Sequence, residues 1–290
     1  MTKLKAPIKW WGGKGRMIAK LLKHVPLGGY PYCEPYMGAA SLFFARPPAP
    51  VEVLNDLDGA LVNLFRCLQD KEKFEELRHR ILYTPYAKSE YVRALRTLAN
   101  PDEYDDIQRA WAFYVKHNLG IAEGNTPGRW SRAFVSTGGI ADTVNKWIMR
   151  MTMLEDWHKR LLMAQIDQRD AIEVIQYWDN SKAVFYVDPP YHPATRKSKK
   201  VYAQEPDHEH FVKLVDTLLE CKGAVVLSGY GHEVFKPLVK SGWQVTRYKT
   251  SCHGAVRHRK SGLQGRGAAT KKVPRVEVIW TNKRALEMLR

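Results

Sequence analysis

Ala183-Val184-Phe185-Tyr186-Val187-Asp188-Pro189-Pro190-Tyr191 is the stretch on which the fold of this chain turns. An apolar run of mostly β-branched and aromatic residues that stops at a double proline reads as a buried strand ending in a rigid turn. Proline has no N–H and a fixed φ, so the strand cannot continue and carbonyls there are left to face a ligand. An acid, a free carbonyl and an aromatic ring then stand at the carboxyl end of a strand, where open α/β sheets place their ligands. A flat heterocycle with an amino group suits that trio. Its ring stacks on Tyr191, while Asp188 and the Pro189 carbonyl accept its two N–H bonds. An ordinary strand-ending turn can have the same composition, so the flanking segments have to decide.

Upstream, Tyr32-Cys33-Glu34-Pro35-Tyr36-Met37-Gly38-Ala39-Ala40-Ser41 precedes the apolar run Leu42-Phe43-Phe44-Ala45 and reads as strand, tight turn, helix. Small residues in such a turn let a nucleotide-type cofactor approach a helix N-terminus. Val51 to Asp56 reads as a second strand ending in an acid, followed by a helix from Gly59 to Leu68. An acid about 20 residues after a glycine turn can hydrogen-bond ribose hydroxyls. A helix N-cap is the plainer role for Asp56 or Asp58. The opening Pro7-Ile8-Lys9-Trp10-Trp11-Gly12-Gly13-Lys14-Gly15-Arg16 is a glycine-rich loop among aromatics and cations, able to bring backbone close to an anionic or zwitterionic ligand. A solvated turn is the bland reading of it.

From Lys71 to about Gln165 the strand–helix rhythm breaks. The pattern is helical over Phe74–Leu82, Ser89–Leu98, Ile107–Lys116 and Val144–Met163, with a loop from His117 to Gly139. Lys116, Arg129, Trp130 and Arg132, with Asn118 and Asn125 nearby, mix cations, amides and an aromatic in a way that suits phosphate and base-edge contact. The α/β rhythm resumes with a strand at Gln165–Asp170, a helix at Ala171–Trp178, an amphipathic helix from Asp207, and strands at Ala224–Ser228, Trp243–Tyr248 and Arg275–Trp280. A helix spans Glu233–Lys240. Two segments are basic and without apolar pattern: Thr195 to Lys200, holding Arg196, Lys197, Lys199 and Lys200, and His253 to Arg275, holding Arg257, Arg259 and Lys260. Both read as phosphate clamps.

Composition narrows the partner. The 290 residues carry a formal net charge of +16, far more than solubility requires, which favours a polyanion. No apolar run is long enough for a membrane span, so nucleic acid is expected rather than a membrane. Four cysteines without paired spacing suit the reducing cytoplasm and, with ten dispersed histidines, indicate no metal.

Taken in order, these segments resemble the DNA adenine methylase (Dam) family of S-adenosylmethionine-dependent N6-adenine methyltransferases, especially its phage-type members. Lys9-Trp10-Trp11-Gly12-Gly13-Lys14 is similar to the family's amino-terminal motif, and Glu34-Pro35-Tyr36-Met37-Gly38 to its cofactor loop. Asn55-Asp56-Leu57 is similar to the acidic end of its second strand, and Asp188-Pro189-Pro190-Tyr191 to its catalytic motif. Pro274 to Asn282 is similar to a late strand. Where the family often has a second glycine, this chain has Ala40, whose methyl is expected to crowd the methionine end of the cofactor.

The resemblance implies an α/β fold: a Rossmann-like methyltransferase sheet with helices on both faces, formed by residues 1–70 and 166–290, plus a mostly helical target-recognition insert at 71–165. It implies S-adenosyl-L-methionine as cofactor, held by Trp10, Lys14, Glu34, Tyr36, Gly38, Asp56, Asp170 and Asp188, and catalysis by Asp188, Pro189 and Tyr191. The partner it implies is double-stranded DNA, with a monomer expected in solution. An RNA N6-adenine enzyme, a cytosine N4 enzyme and an inactive DNA-binding relative stay open at this point.

Overall fold

The computed structural model describes residues 4–121, 129–195, 206–252 and 273–290. Its centre is a seven-stranded sheet in the order β5-β2-β1-β6-β7-β9-β8. The strands are β1 (Tyr32–Glu34), β2 (Glu52–Asn55), β5 (Gln165–Asp167), β6 (Val184–Val187), β7 (Ala224–Tyr230), β8 (Gln244–Cys252) and β9 (Val273–Thr281). Pairing is parallel from β5 across to β7; β9 runs antiparallel to both its neighbours. The remaining strands, β3 (Ser136–Thr137) and β4 (Ile140–Ala141), form a separate hairpin.

Alternation along each strand divides the core in two. Tyr32, Leu54, Val184, Tyr186, Val226 and Ile279 belong to one apolar cluster. Their sequence neighbours Cys33, Val53, Phe185, Val187, Val225, Val278 and Trp280 belong to the other. Helices α9 (Ala171–Trp178), α10 (His208–Glu220) and α11 (Lys236–Lys240) supply the second cluster with Val174, Phe211, Leu214 and Leu238. A larger helical layer supplies the first. It comprises α2 (Ser41–Ala45), α3 (Gly59–Gln69), α4 (Lys71–Leu82), α5 (Lys88–Ala99), α6 (Asp106–Leu119), α7 (Asp142–Met151) and α8 (Leu154–Leu161). Both faces of the sheet are therefore covered, as a parallel sheet requires.

The helical stretch after residue 70 has no core of its own. Phe74, Leu77, Ile81, Ala94, Trp111 and Trp157 join one cluster with Leu61 and Phe65 of α3 and with the sheet. A single helix is expected over Val144–Met163, but the chain breaks it at Thr152 and Met153 into α7 and α8. The break turns Leu154, Trp157 and Leu161 inward, where the Trp157 indole donates to the Lys5 carbonyl at 2.7 Å. The short helical pattern that follows the glycine loop, Met17 to Leu22, is present as α1 (Ile18–Leu21), whereas the hairpin and α12 (Lys283–Met288), capped by Asn282, lie outside the expected pattern. Among the described residues, no helix is long and apolar enough to cross a membrane.

The strand order places the site. Strands β1 and β6 are neighbours, but the chain leaves β1 toward β2 on one side and β6 toward β7 on the other. Their carboxyl ends, Glu34-Pro35 and Asp188-Pro189, therefore diverge and open a crevice between them.

Candidate active site

A cavity of about 380 Å3 occupies that crevice. Its walls include Trp10 to Lys14, Glu34 to Ala39, Asn55 to Asp58, Asp188 to Tyr191, and Phe113, Lys116 and His117 of α6. The glycine-rich loop, the two strand-end turns and the double proline thus meet in one place, although Trp10 and Tyr191 are 181 positions apart in sequence.

The turn after β1 is held from below. The Asp56 carboxylate accepts the Gly38 N–H at 2.9 Å through Oδ2 and the Asp58 N–H at 3.0 Å through Oδ1. Asp58 is the N-cap of α3. Burial pushes the Asp56 carboxyl up to about 6. Gly38 has φ +48, and a Cβ there would lie 2.9 Å from the Trp10 indole. The close approach that Gly38 permits is thus made by Trp10, where the sequence suggested the cofactor. Trp10 is backed by His117 at 5.3 Å and Phe113 at 6.2 Å between ring centroids. His117 donates from Nδ1 to the Lys9 carbonyl at 3.1 Å, and burial drives its ring down to about 3, so it is neutral.

Ala40 is the lone non-glycine residue of positive φ among the described residues, at φ 50. It is fully buried and absent from the cavity wall, which Ala39 and Ser41 line instead. Its methyl does not face the space it was expected to crowd.

Glu34 is 1% exposed, accepts the Tyr32 hydroxyl at 2.7 Å, and lines the cavity. Burial pushes its carboxyl up to about 8. Tyr36 is tied through its hydroxyl to His210 of α10 at 2.8 Å.

Around the double proline the cations and acids interlock. The Lys14 ammonium lies 2.7 Å from Asp188 Oδ1 and 3.2 Å from Glu277 Oε1, and it donates to the Tyr191 hydroxyl at 2.9 Å. Burial works against the charge of Lys14, but Asp188, Tyr191 and Glu277 reverse that and hold it well above its ordinary value. Ser228 donates to Asp188 Oδ1 at 2.9 Å. Both contacts use Oδ1; no described group bonds Oδ2.

The Tyr191 ring stacks on Tyr230 at 4.0 Å, only 7° from parallel. Sequence reasoning stacked a heterocycle on Tyr191; in the structure Tyr230 covers one face of that ring, and the Lys14 ammonium lies over it, 4.7 Å from its centroid. Ser228, Tyr230 and Glu277 were missed as site residues. They sit on β7 and β9, with Tyr230 and Glu277 directly paired across the ladder, and only the sheet brings them to the turn.

Other expected positions fall elsewhere. Asp170 caps α9 by accepting the Ile172 N–H at 2.8 Å and is not in the cavity wall. Asn118 is buried and donates to the Pro7 carbonyl at 3.1 Å, anchoring the amino-terminal segment instead of presenting a surface amide. Lys116 is half-buried in the cavity wall, where burial lowers its ionisation. Arg129 and Arg132 are exposed. Arg196, Lys197, Lys199, Lys200, Arg257, Arg259, Lys260 and Asn125 lie outside the described residues. Among the described residues, no group of three His, Cys, Asp or Glu could hold a metal ion.

Residues 10–251 match the family described as D12 class N6 adenine-specific DNA methyltransferase. A DNA N-6-adenine-methyltransferase of Escherichia phage P1 is 31% identical over 106 residues, which are 36% of this chain and 14% of that protein. The matched segment is thus a small part of that relative's length. Among solved structures, the rRNA methyltransferase aviRa of Streptomyces viridochromogenes has a TM-score of 0.40 at 13% identity, over 94% of this chain and 86% of that one. Precorrin 8W decarboxylase of Methanobacterium thermoautotrophicum has a TM-score of 0.37 at 9% identity, over 92% and 89%. At such scores neither likeness bears on the fold, which rests on the strand order.

Proposed function

The chain belongs to the D12 class N6 adenine-specific DNA methyltransferase family, and from that premise we propose that it transfers a methyl group from S-adenosyl-L-methionine to N6 of an adenine flipped out of duplex DNA. The observation that carries this reading is the meeting of the Asp188-Pro189 turn and the Glu34–Ala39 turn on one cavity at the sheet's divergence point.

The residues present fit the cofactor. A cavity of this volume falls in the range of about 300–1,000 Å3 typical of small-molecule sites. Glu34, Asp56 and Asp58 offer carboxyl groups to hydroxyls and an ammonium, and Trp10 and Tyr36 offer rings to a heterocycle and a sulfonium. When bound, the cofactor supplies an electrophilic methyl group. Lys14 and Gly38 act on the protein side of that site, Lys14 by holding Asp188 and Gly38 by admitting Trp10.

The exocyclic nitrogen of adenine is a poor nucleophile because its lone pair is delocalised into the ring. Hydrogen bonds from its two N–H groups to Asp188 Oδ2 and the Pro189 carbonyl favour a pyramidal nitrogen with an available lone pair. Tyr191, fixed by Tyr230 and Lys14, positions the ring on the face away from Tyr230. Alignment of this kind contributes up to ~7–11 kcal/mol in favourable cases. The nitrogen loses its proton after it has become cationic, so no strong base is needed.

Extruding the base from the duplex costs a few kcal/mol. The helical stretch 71–165 reads as the target-recognition part, with Arg129 and Arg132 on its surface. The cations at 196–200 and 257–260 read as phosphate clamps that offset the cost of extrusion. Nucleoside analysis of DNA incubated with the protein and cofactor tests the reading: N6-methyladenine is expected, and N4-methylcytosine or an unmodified product would overturn it. Asp188→Ala should abolish transfer and largely preserve DNA binding; near-normal turnover in that variant removes the mechanism.

A further inference from the structure

Strands β7 and β9 form a wall behind the Asp188 turn, of which the transfer step described above uses only Tyr230. Ser228 and Tyr230 stand two residues apart on β7, and Tyr230 pairs with Glu277 on β9. The three side chains reach Asp188, the Tyr191 ring and the Tyr191 hydroxyl respectively, the last at 3.3 Å from Glu277 Oε2. Glu277 is 3% exposed. Its Oε1 lies at ion-pair distance from Lys14 and yet accepts no hydrogen bond.

An ammonium has three N–H groups to place. Those of Lys14 reach Asp188 at 2.7 Å, the Tyr191 hydroxyl at 2.9 Å and the Gly12 carbonyl at 3.5 Å. The bond to Gly12 is the weakest of these. Giving it up lets a small movement of Nζ set a hydrogen bond on Glu277 Oε1. The ammonium can therefore pass between two carboxylates without leaving Tyr191.

Charge gives the passage a purpose. Lys14 with Asp188 alone is neutral, whereas Lys14 with Asp188 and an ionised Glu277 carries one net negative charge; burial pushes the Glu277 carboxyl up, and the Lys14 ammonium 3.2 Å away opposes that by favouring its charged form. Methyl transfer moves a positive charge onto the base nitrogen, and a preorganised negative charge stabilises it most where water is excluded. We propose that Glu277 is a positioning and charge-balancing residue of the transfer site. It takes over the Lys14 ammonium as the amino group engages Asp188, and it leaves the site negative to meet the cationic nitrogen. This inference rests on the methyltransferase reading.

Glu277→Gln tests it, because the amide oxygen can still accept from Tyr191 while the charge is removed. In single-turnover assays the variant should transfer methyl about 10–100-fold more slowly, with dissociation constants for cofactor and DNA changed by less than about 3-fold. Glu277→Asp, which keeps the charge, should recover part of the loss. In a Lys14→Met background, adding Glu277→Gln should slow transfer by less than about 3-fold, because the two residues act through one another. A Glu277→Gln rate within about twofold of wild type overturns the inference, as does an equal loss with and without Lys14. Wild-type protein that forms no N6-methyladenine defeats the functional reading and this inference with it. Active wild type beside an unaffected Glu277→Gln defeats the inference alone.

Discussion

Two neighbouring left-handed residues in the turn after β1 behave differently when exchanged. Gly38 combines a φ of +48 with the Trp10 ring 2.9 Å from any added Cβ. Gly38→Ala has both strain and a displaced indole against it and should cost ~2 kcal/mol or more. Ala40→Gly relieves strain but loosens the unfolded chain and removes a buried methyl, so its effect should stay within about 1 kcal/mol of zero. Urea unfolding of both variants checks the contrast. Glu34 adds a pH dependence. Its carboxyl titrates at about 8 in the fold against an ordinary 4.5, so its contribution to stability is fully present below about pH 4.5 and is lost as the pH rises through 8. Glu34→Gln cannot ionise and should gain steadily on wild type between about pH 5 and 8, levelling off above that. Melting temperatures across that range would show it, and a constant difference would count against a buried, proton-holding Glu34. At this scale the sequence revealed Asp188, Pro189 and Asp56 through their places at strand ends. It concealed Glu277 and Ser228, whose importance comes from strands that are distant in sequence.

Helix α8 is attached to the sheet by a buried charge cluster. Glu52 of β2 is 1% exposed and accepts Arg46 at 3.0 Å and Arg160 of α8 at 2.7 Å through Oε1, with a second bond from Arg160 to Oε2. Arg46 lies over the Tyr32 ring and Arg160 over the Phe43 ring. Removing the acid strands two buried guanidiniums, so Glu52→Ala should destabilise the protein by ~3–5 kcal/mol. Chemical denaturation measures the loss, and a change under about 1 kcal/mol would mean that the cluster is not truly desolvated. Helix existence was legible from apolar spacing for α3, α4, α5, α6, α9 and α10. The division between α7 and α8 was not, because a continuous period runs through Thr152 and Met153 and only packing of Trp157 turns the chain there.

Over the whole molecule, the formal net charge of +16 favours a polyanion as partner, which under the proposed function is duplex DNA. Each neutralised phosphate contributes about −0.9 to the slope of log K against log salt. Six phosphate contacts would give a slope near −5, so affinity for duplex DNA should fall roughly a thousandfold between about 50 and 200 mM salt. Replacing Arg257, Arg259 and Lys260 together by Gln should flatten the slope by about 2–3. Binding titrations at several salt concentrations measure both, and an unchanged slope would remove those cations from the interface.

By itself, the sequence determined the strands of the sheet, most of the helices that cover it and the turns at the strand ends. Apolar periodicity, prolines and strand-end acids are local, and their physics acts within a few residues. The tertiary structure decided which of those turns share a cavity, which ring covers a face of Tyr191 and which acids meet Lys14. Those facts depend on strand order and ladder register: β1 lies beside β6 and Glu277 beside Tyr230 because two apolar layers must both be buried against one sheet. No spacing along the chain encodes that neighbourhood.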